Sequence, residues 1–287
     1  MIPILNIENF QPSIAVEDYF YSNELDVHLK RNERYFSQPH KHSFYLCVLI
    51  IEGKGKHEID FTTYEVKPGR VFFLKPGQSH FWSFTSSVKG FIFFHTLEFF
   101  RLSMSELNLN EFPFYTLHES LIDLPKDKIA SFSTSFQRIN EEYHTDEILK
   151  RASLLSLVNL LYIDFIRLYN QENTPQPKQT VNNIIVIHKL DDLITRHFKE
   201  HKKAAFYADK LHMSVRHLNR ISKEVLDKTV TDLLYEKVVL EAKRLLVHSK
   251  QQLTDIAYEL GFENYSHFSK FFKLKTGESP TAFRKRY

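Results

Sequence analysis

The sequence predicts two parts: an N-terminal antiparallel β-barrel followed by a helical pair, then an all-α C-terminal domain containing two helix-turn-helix units. Three observations carry this. Short apolar runs punctuated by turn residues fill 1–125. Helical periodicity takes over from about residue 126. One pattern then occurs twice near the C-terminus, at an offset of 49 before a turn and 50 after it.

In the first part, 44–51, 56–61, 71–74 and 90–95 are apolar runs, and Gly53 to Gly55, Lys67-Pro68-Gly69 and Lys75-Pro76-Gly77 are turns. Strands at this spacing suggest a small barrel or jelly roll. His40, His42 and His80 invite a metal reading, because imidazole suits Zn, Fe, Ni or Cu. The set is incomplete, since Phe44, Tyr45, Leu46 and Cys47 follow the paired histidines and bring no carboxylate. We therefore expect no metal and no cofactor. His40, His42, Tyr45, His80 and Trp82 are instead the candidates for lining a barrel mouth that takes a small-molecule effector. Plain core is the alternative for the aromatic residues, Phe84 included.

Ile129, Phe132, Phe136 and Ile139 form one helical stripe. A second helix, Ile148 to Tyr169, carries Leu149, Ala152, Leu155, Leu160, Ile163 and Ile166. Its Arg151, Asp164 and Arg167 disfavour a membrane span. Being apolar around much of its circumference, it predicts packing on the barrel and on the partner of a homodimer, with intramolecular core as the alternative. Residues 171–181, polar with two prolines, read as a linker. The expected division is 1–170 as sensor domain with dimerisation helices at 126–170, 171–181 as linker, and 182–287 as the helical domain.

In the second copy of the repeat, Leu253, Ile256, Ala257 and Leu260 make one apolar face. Gly261 ends that helix in a left-handed turn and Asn264 caps the next. There Phe268, Phe271 and Phe272 point inward, while Ser266, His267, Lys270 and Lys273 point out. In the first copy Ser214 caps; Val215, Leu218, Ile221 and Val225 face in; Arg216, Asn219, Arg220 and Lys223 face out. His212 stands where the other copy has Gly261, and Asp227 where it has Gly277, both tolerable in a left-handed position at some cost. Thr229 caps a long connecting helix, and Ser279-Pro280 starts a short terminal one. A short helix with a basic outer face, held across a supporting helix by a tight turn, is how a recognition helix meets a major groove.

Charge agrees: 181–287 holds 20 Lys+Arg against 13 Asp+Glu, and 1–180 holds 18 against 22. A basic C-terminal third behind a mildly acidic remainder points toward nucleic acid. The seven glycines form no phosphate cradle, and neither a Walker-type loop nor a nucleophile elbow nor a C-x-x-C pair occurs. Cys47 is the one cysteine, which suits a reducing cytoplasm. The opening residues lack the basic start and apolar run of a signal peptide, so secretion is not expected.

Arg244-Leu245-Leu246, Ile256-Ala257, Gly261-Phe262, Tyr265-Ser266, Phe268, Phe271-Phe272-Lys273, Gly277, Pro280-Thr281 and Phe283-Arg284 resemble the signature of AraC/XylS-type transcription regulators. The paired histidines, the Pro-Gly turns and His80 are similar, more loosely, to the cupin-like sensor domain often fused to that DNA-binding domain. The enzymatic cupins usually place a Glu after the H-x-H, and this chain does not. The resemblance implies seven helices in the C-terminal domain and no enzymatic activity. It implies base reading by Arg216, Asn219 and Arg220 and by Ser266, His267 and Lys270, with Lys223 and Lys273 on phosphate. The implied partners are double-stranded promoter DNA, RNA polymerase and an effector.

Overall fold

The computed structural model describes residues 3–10, 19–36, 38–101, 115, 120–172 and 178–286. It divides into two compact units, 2–175 and 176–287.

The first unit is built on two five-stranded sheets. One runs β1 (Ile4–Leu5), β3 (His40–His42), β8 (Ser79–Phe84), β5 (Gly55–Ile59) and β6 (Thr62–Val66). The other runs β10 (Leu121–Asp123), β7 (Arg70–Leu74), β4 (Tyr45–Glu52), β9 (Lys89–His95) and β2 (Phe20–Glu24). All the ladders are antiparallel except β1 with β3.

Period-two alternation sorts the second sheet into two apolar faces. Phe72 and Phe94 meet the first sheet's side of the core: Phe72 stands edge-on to His57 and Trp82, and Phe94 stacks on Phe44. Phe73 and Phe93 point the other way. Two helices cover them, α4 (Ile129–Tyr143) and α5 (Lys150–Glu172), with Phe165 5.0 Å from Phe73 and Phe136 5.4 Å from Phe93. Both sides of this sheet are thus buried, which is why β4, β7 and β9 read as continuous apolar runs. Three shorter α-helices, α1 (Leu25–Arg31), α2 (Glu33–Phe36) and α3 (Leu97–Arg101), and a 3-10 turn at Ile7–Asn9 also belong to this unit.

By length and composition α5 could cross a membrane. Here it packs Leu154, Val158, Leu161, Tyr162, Phe165 and Leu168 into the core of its own unit.

Seven helices form the described part of the second unit: α6 (Lys178–His197), α7 (Ala204–Lys210), α8 (Val215–Leu226), α9 (Val230–His248), α10 (Leu253–Glu259), α11 (Tyr265–Thr276) and α12 (Pro280–Arg286). Ala208 and Ala257 are fully buried where the supporting helices α7 and α10 meet their neighbours. The segment expected as a linker, 171–181, is helical at both described ends, through Glu172 and again from Lys178. Residues 173–177 lie outside the described residues.

Candidate nucleic-acid interface and effector site

The two helix-turn-helix units share one backbone. In the first, Met213 N–H donates to Ala208 O (2.9 Å) and His212 adopts φ 54°. In the second, Phe262 N–H donates to Ala257 O (2.9 Å) and Gly261 adopts φ 73°. Each recognition helix is capped as its sequence predicts, since Ser214 Oγ accepts from His217 N–H and Asn264 Oδ1 from His267 N–H. Each ends on a left-handed residue, Asp227 or Gly277, whose N–H returns to Lys223 O or Lys273 O. Thr229 closes a capping box with Asp232 at the start of α9, and Ser279 Oγ accepts from Ala282 N–H in α12.

With caps and turns alike, an offset of 50 relates α8 to α11, and the exposed positions coincide. Arg216, His217, Arg220 and Lys223 are exposed on α8; Ser266, His267, Lys270 and Lys273 are exposed on α11. Arg220 Nη1 leans on Glu224 at 2.8 Å, one turn along its own helix.

Asn219 is a correction. It is half-buried, and its Oδ1 accepts from Val230 N–H at 2.9 Å, satisfying a free donor in the first turn of α9. That bond ties its carbonyl to the start of α9 and draws the side chain away from the outward position periodicity gives it. His217 takes its place in the exposed set. The signal was present in the sequence, because residue 217 lies 50 before His267. One inward assignment also shifts, since Val215 is 38% exposed, and Ser222 is buried with its hydroxyl donating to Lys228 O. Arg284 forks onto the carbonyls of Leu246 and Gln251, so this signature arginine holds α12 against the end of α9.

In the first unit, antiparallel pairing sets His40 opposite His80 and His57 opposite Trp82. His40, His42, His57, His80 and Trp82 are all buried, on one face of the first sheet. His57 Nε2 lies 2.8 Å from His80 Nδ1, and His80 Nε2 lies 3.3 Å from His42 Nε2. Trp82 stacks on His57 and Phe84. Burial pushes the pKa of His40 down, and those of His42, His57 and His80 well down, so these rings are neutral. His57 is the member that sequence reasoning missed; its alternation with Gly55 and Ile59 along β5 was the available sign.

Tyr45 is the second correction. Strand alternation turns it to the helix-covered face of the second sheet, where it stacks on His95 and meets Tyr115. There His95 Nδ1–H donates to Thr96 O, which leaves Nε2 to accept from the Tyr162 hydroxyl at 2.8 Å. Burial holds His95 down at about 4.

A barrel that buries a polar cluster, joined to a unit that displays two matched basic helices, defines a DNA-binding regulator with a separate ligand-binding part. Residues 24–99 match the family model of an AraC-like ligand binding domain, and 207–286 match that of a helix-turn-helix domain. The chain belongs to the AraC/XylS-type transcription regulators, sequence-specific DNA-binding proteins. Among its relatives, the HTH-type transcriptional activator RhaS of Citrobacter koseri is 23% identical over 272 residues, spanning 93% of this chain and 95% of the relative. RhaS of Escherichia fergusonii is 24% identical over 276 residues, with the same spans. Of the solved structures, fatty-acid-bound ToxT from Vibrio cholerae aligns over 95% of this chain and 97% of its own, at 13% identity and a TM-score of 0.42.

Proposed function

We propose that the chain is an effector-responsive activator that reads two adjacent major-groove segments of promoter DNA, one through α8 and one through α11. The observation that carries this reading is the coincidence of exposed positions: two helices with equivalent caps present Arg216, His217, Arg220, Lys223 and Ser266, His267, Lys270, Lys273 to solvent. Arginine suits a guanine edge, and the lysine one turn on suits phosphate. Two readers in one chain fit half-sites about one helical turn apart on one face of the duplex.

The ligand-binding unit, 1–170 in this reading, supplies the signal, and 182–287 answers it. An effector acts only to the extent that it binds the DNA-competent state more tightly. The activator assignment follows the RhaS relatives by name, and RNA polymerase is the partner it implies. A homodimer through α5 is supported by the outward row of Ala152, Ser156 and Leu160, the last 60% exposed. No part of this reading needs an enzyme, and the protein acts in the cytoplasm.

Selection of binding sites from a random duplex pool, with the full chain and the 182–287 fragment in parallel, tests it. Two short blocks about one turn apart are expected from both. Enrichment of a single block, or of none, sinks the two-reader mechanism. Thermal unfolding against a metabolite panel tests the effector, since a ligand of the native state raises the melting temperature.

A further inference from the structure

The histidine cluster has a donor problem that no placement of protons solves. His40 Nδ1 lies 3.1 Å from the Gln38 carbonyl. A carbonyl only accepts, so Nδ1 carries the proton and Nε2 holds a lone pair. That Nε2 is buried and has no hydrogen-bond partner among the described residues. His42 Nδ1 and His57 Nδ1 are likewise buried and unpartnered. Groups this deep in a core normally find partners, and leaving one without a partner is costly.

A cation answers the lone pair of His40 Nε2 together with those His42 and His80 present through Nε2, while the Nδ1 atoms of His42 and His57 keep their protons. One ring nitrogen from each of His40, His42 and His80 lies within 4.8 Å of the others. The His42 and His80 Nε2 atoms stand 3.3 Å apart. Two imidazoles on one tetrahedral zinc, each at roughly 2.0–2.1 Å, have their nitrogens about 3.3 Å apart. His57 Nε2 sits behind His80 at 2.8 Å, placed to accept from Nδ1–H and leave His80 Nε2 as a lone pair facing His42. A partner on the far nitrogen of this kind fixes tautomer and ring orientation in histidine ligands. The Gln38 carbonyl does the same for His40.

We propose that His40, His42 and His80 hold a divalent transition-metal ion of the zinc or cobalt type, with His57 orienting His80. Three neutral imidazoles exclude Mg²⁺ and Ca²⁺, which take oxygen ligands. They leave at least one coordination position for water or for a group of an organic ligand. The sequence expectation of no metal weighed the missing carboxylate. It gave no weight to the buried lone pair of His40, which becomes visible only when β3 and β8 are paired.

The test uses the full chain, stripped with a chelator and titrated with Co²⁺ and Zn²⁺. One ion per chain is expected, with the visible absorption of a nitrogen-ligated, low-coordinate Co²⁺. His40→Phe and His80→Phe should each weaken binding by ~10-fold or more, by analogy with the cost of losing even an outer-shell partner. His144→Gln, an exposed control, should leave it unchanged. Substoichiometric binding, or binding that both buried variants retain, overturns the proposal and leaves an adventitious ion only. Should the buried variants fail to fold, X-ray absorption of the zinc-loaded wild-type chain decides: three imidazole scatterers support the site and an oxygen shell overturns it. The effector reading stands or falls separately, on the metabolite panel in the stripped protein.

Discussion

The first and second helix-turn-helix units reach the same backbone with different residues at the demanding positions. The second uses Gly261 and Gly277 where φ is positive; the first uses His212 and Asp227, both at φ 54°. A left-handed non-glycine residue costs about 1–2 kcal/mol. The first unit bears that cost because the flanking bonds, Met213 N–H to Ala208 O and Asp227 N–H to Lys223 O, are the same ones the second unit makes. Glycine is therefore convenient at three of the four positions and required at one. A Cβ on Gly261 would stand 1.8 Å from Lys199 O, whereas one on Gly277 meets nothing within 4 Å. The carbonyls of Gly261 and Lys199 are also drawn together by Lys202 Nζ, which donates to both at 2.9 and 2.7 Å. Close approach, more than the sign of φ, separates the two turns.

The contrast can be broken at its strongest point first. Gly261→Ala should destabilise the full chain by more than about 2 kcal/mol in denaturant unfolding, because the clash is with backbone and adds to the φ penalty. A loss below half of that would mean the Lys199 carbonyl yields freely. On DNA, Arg220→Ala and Lys270→Ala should each cost about 1–3 kcal/mol and relax preference at one or two base pairs. If selected sites from Lys270→Ala match those of the parent, α11 does not read bases. Asn219→Ala separates fold from recognition: a stability loss of about 1 kcal/mol is expected for the lost bond to Val230 N–H, with base preference intact. Altered preference would restore Asn219 to the reading surface.

His212→Gly, the reverse of the Gly261 change, should stabilise by about 0.5–1 kcal/mol, measured as a shift in denaturant midpoint. Lys273→Ala is the mildest. It should weaken all sequences alike and lower the slope of log affinity against log salt by about 1.

Much of the DNA-binding unit was legible because its determinants are local. Ser214, Asn264, Thr229 and Ser279 cap as predicted, since a cap is decided within three residues of sequence. Asn219 was misread because its partner, Val230 N–H, is 11 residues away across a turn, and periodicity alone places its side chain outward. Val215 was placed inward for a related reason, as an apolar stripe gives the buried arc only to within a residue. His217 could have been found by applying the repeat offset to His267.

The ligand-binding unit was less legible. The strands of its second sheet are buried on both faces, so runs such as Val71 to Leu74 carry no alternation to show which side chains face the barrel. Tyr45 fell on the wrong side for that reason, and His57 went unseen between residues that predicted only a strand.

What the sequence determined by itself is the two-part architecture, the doubled helix-turn-helix and its basic outer faces, because these rest on short-range patterns of hydrophobicity, caps and charge. The tertiary structure alone decided which face of a doubly buried strand each aromatic ring takes, that Asn219 serves α9, and that His40, His42, His57 and His80 converge. Those outcomes depend on strand register and on contacts between residues far apart in the chain. A one-residue slip in register would carry the histidines to the opposite face.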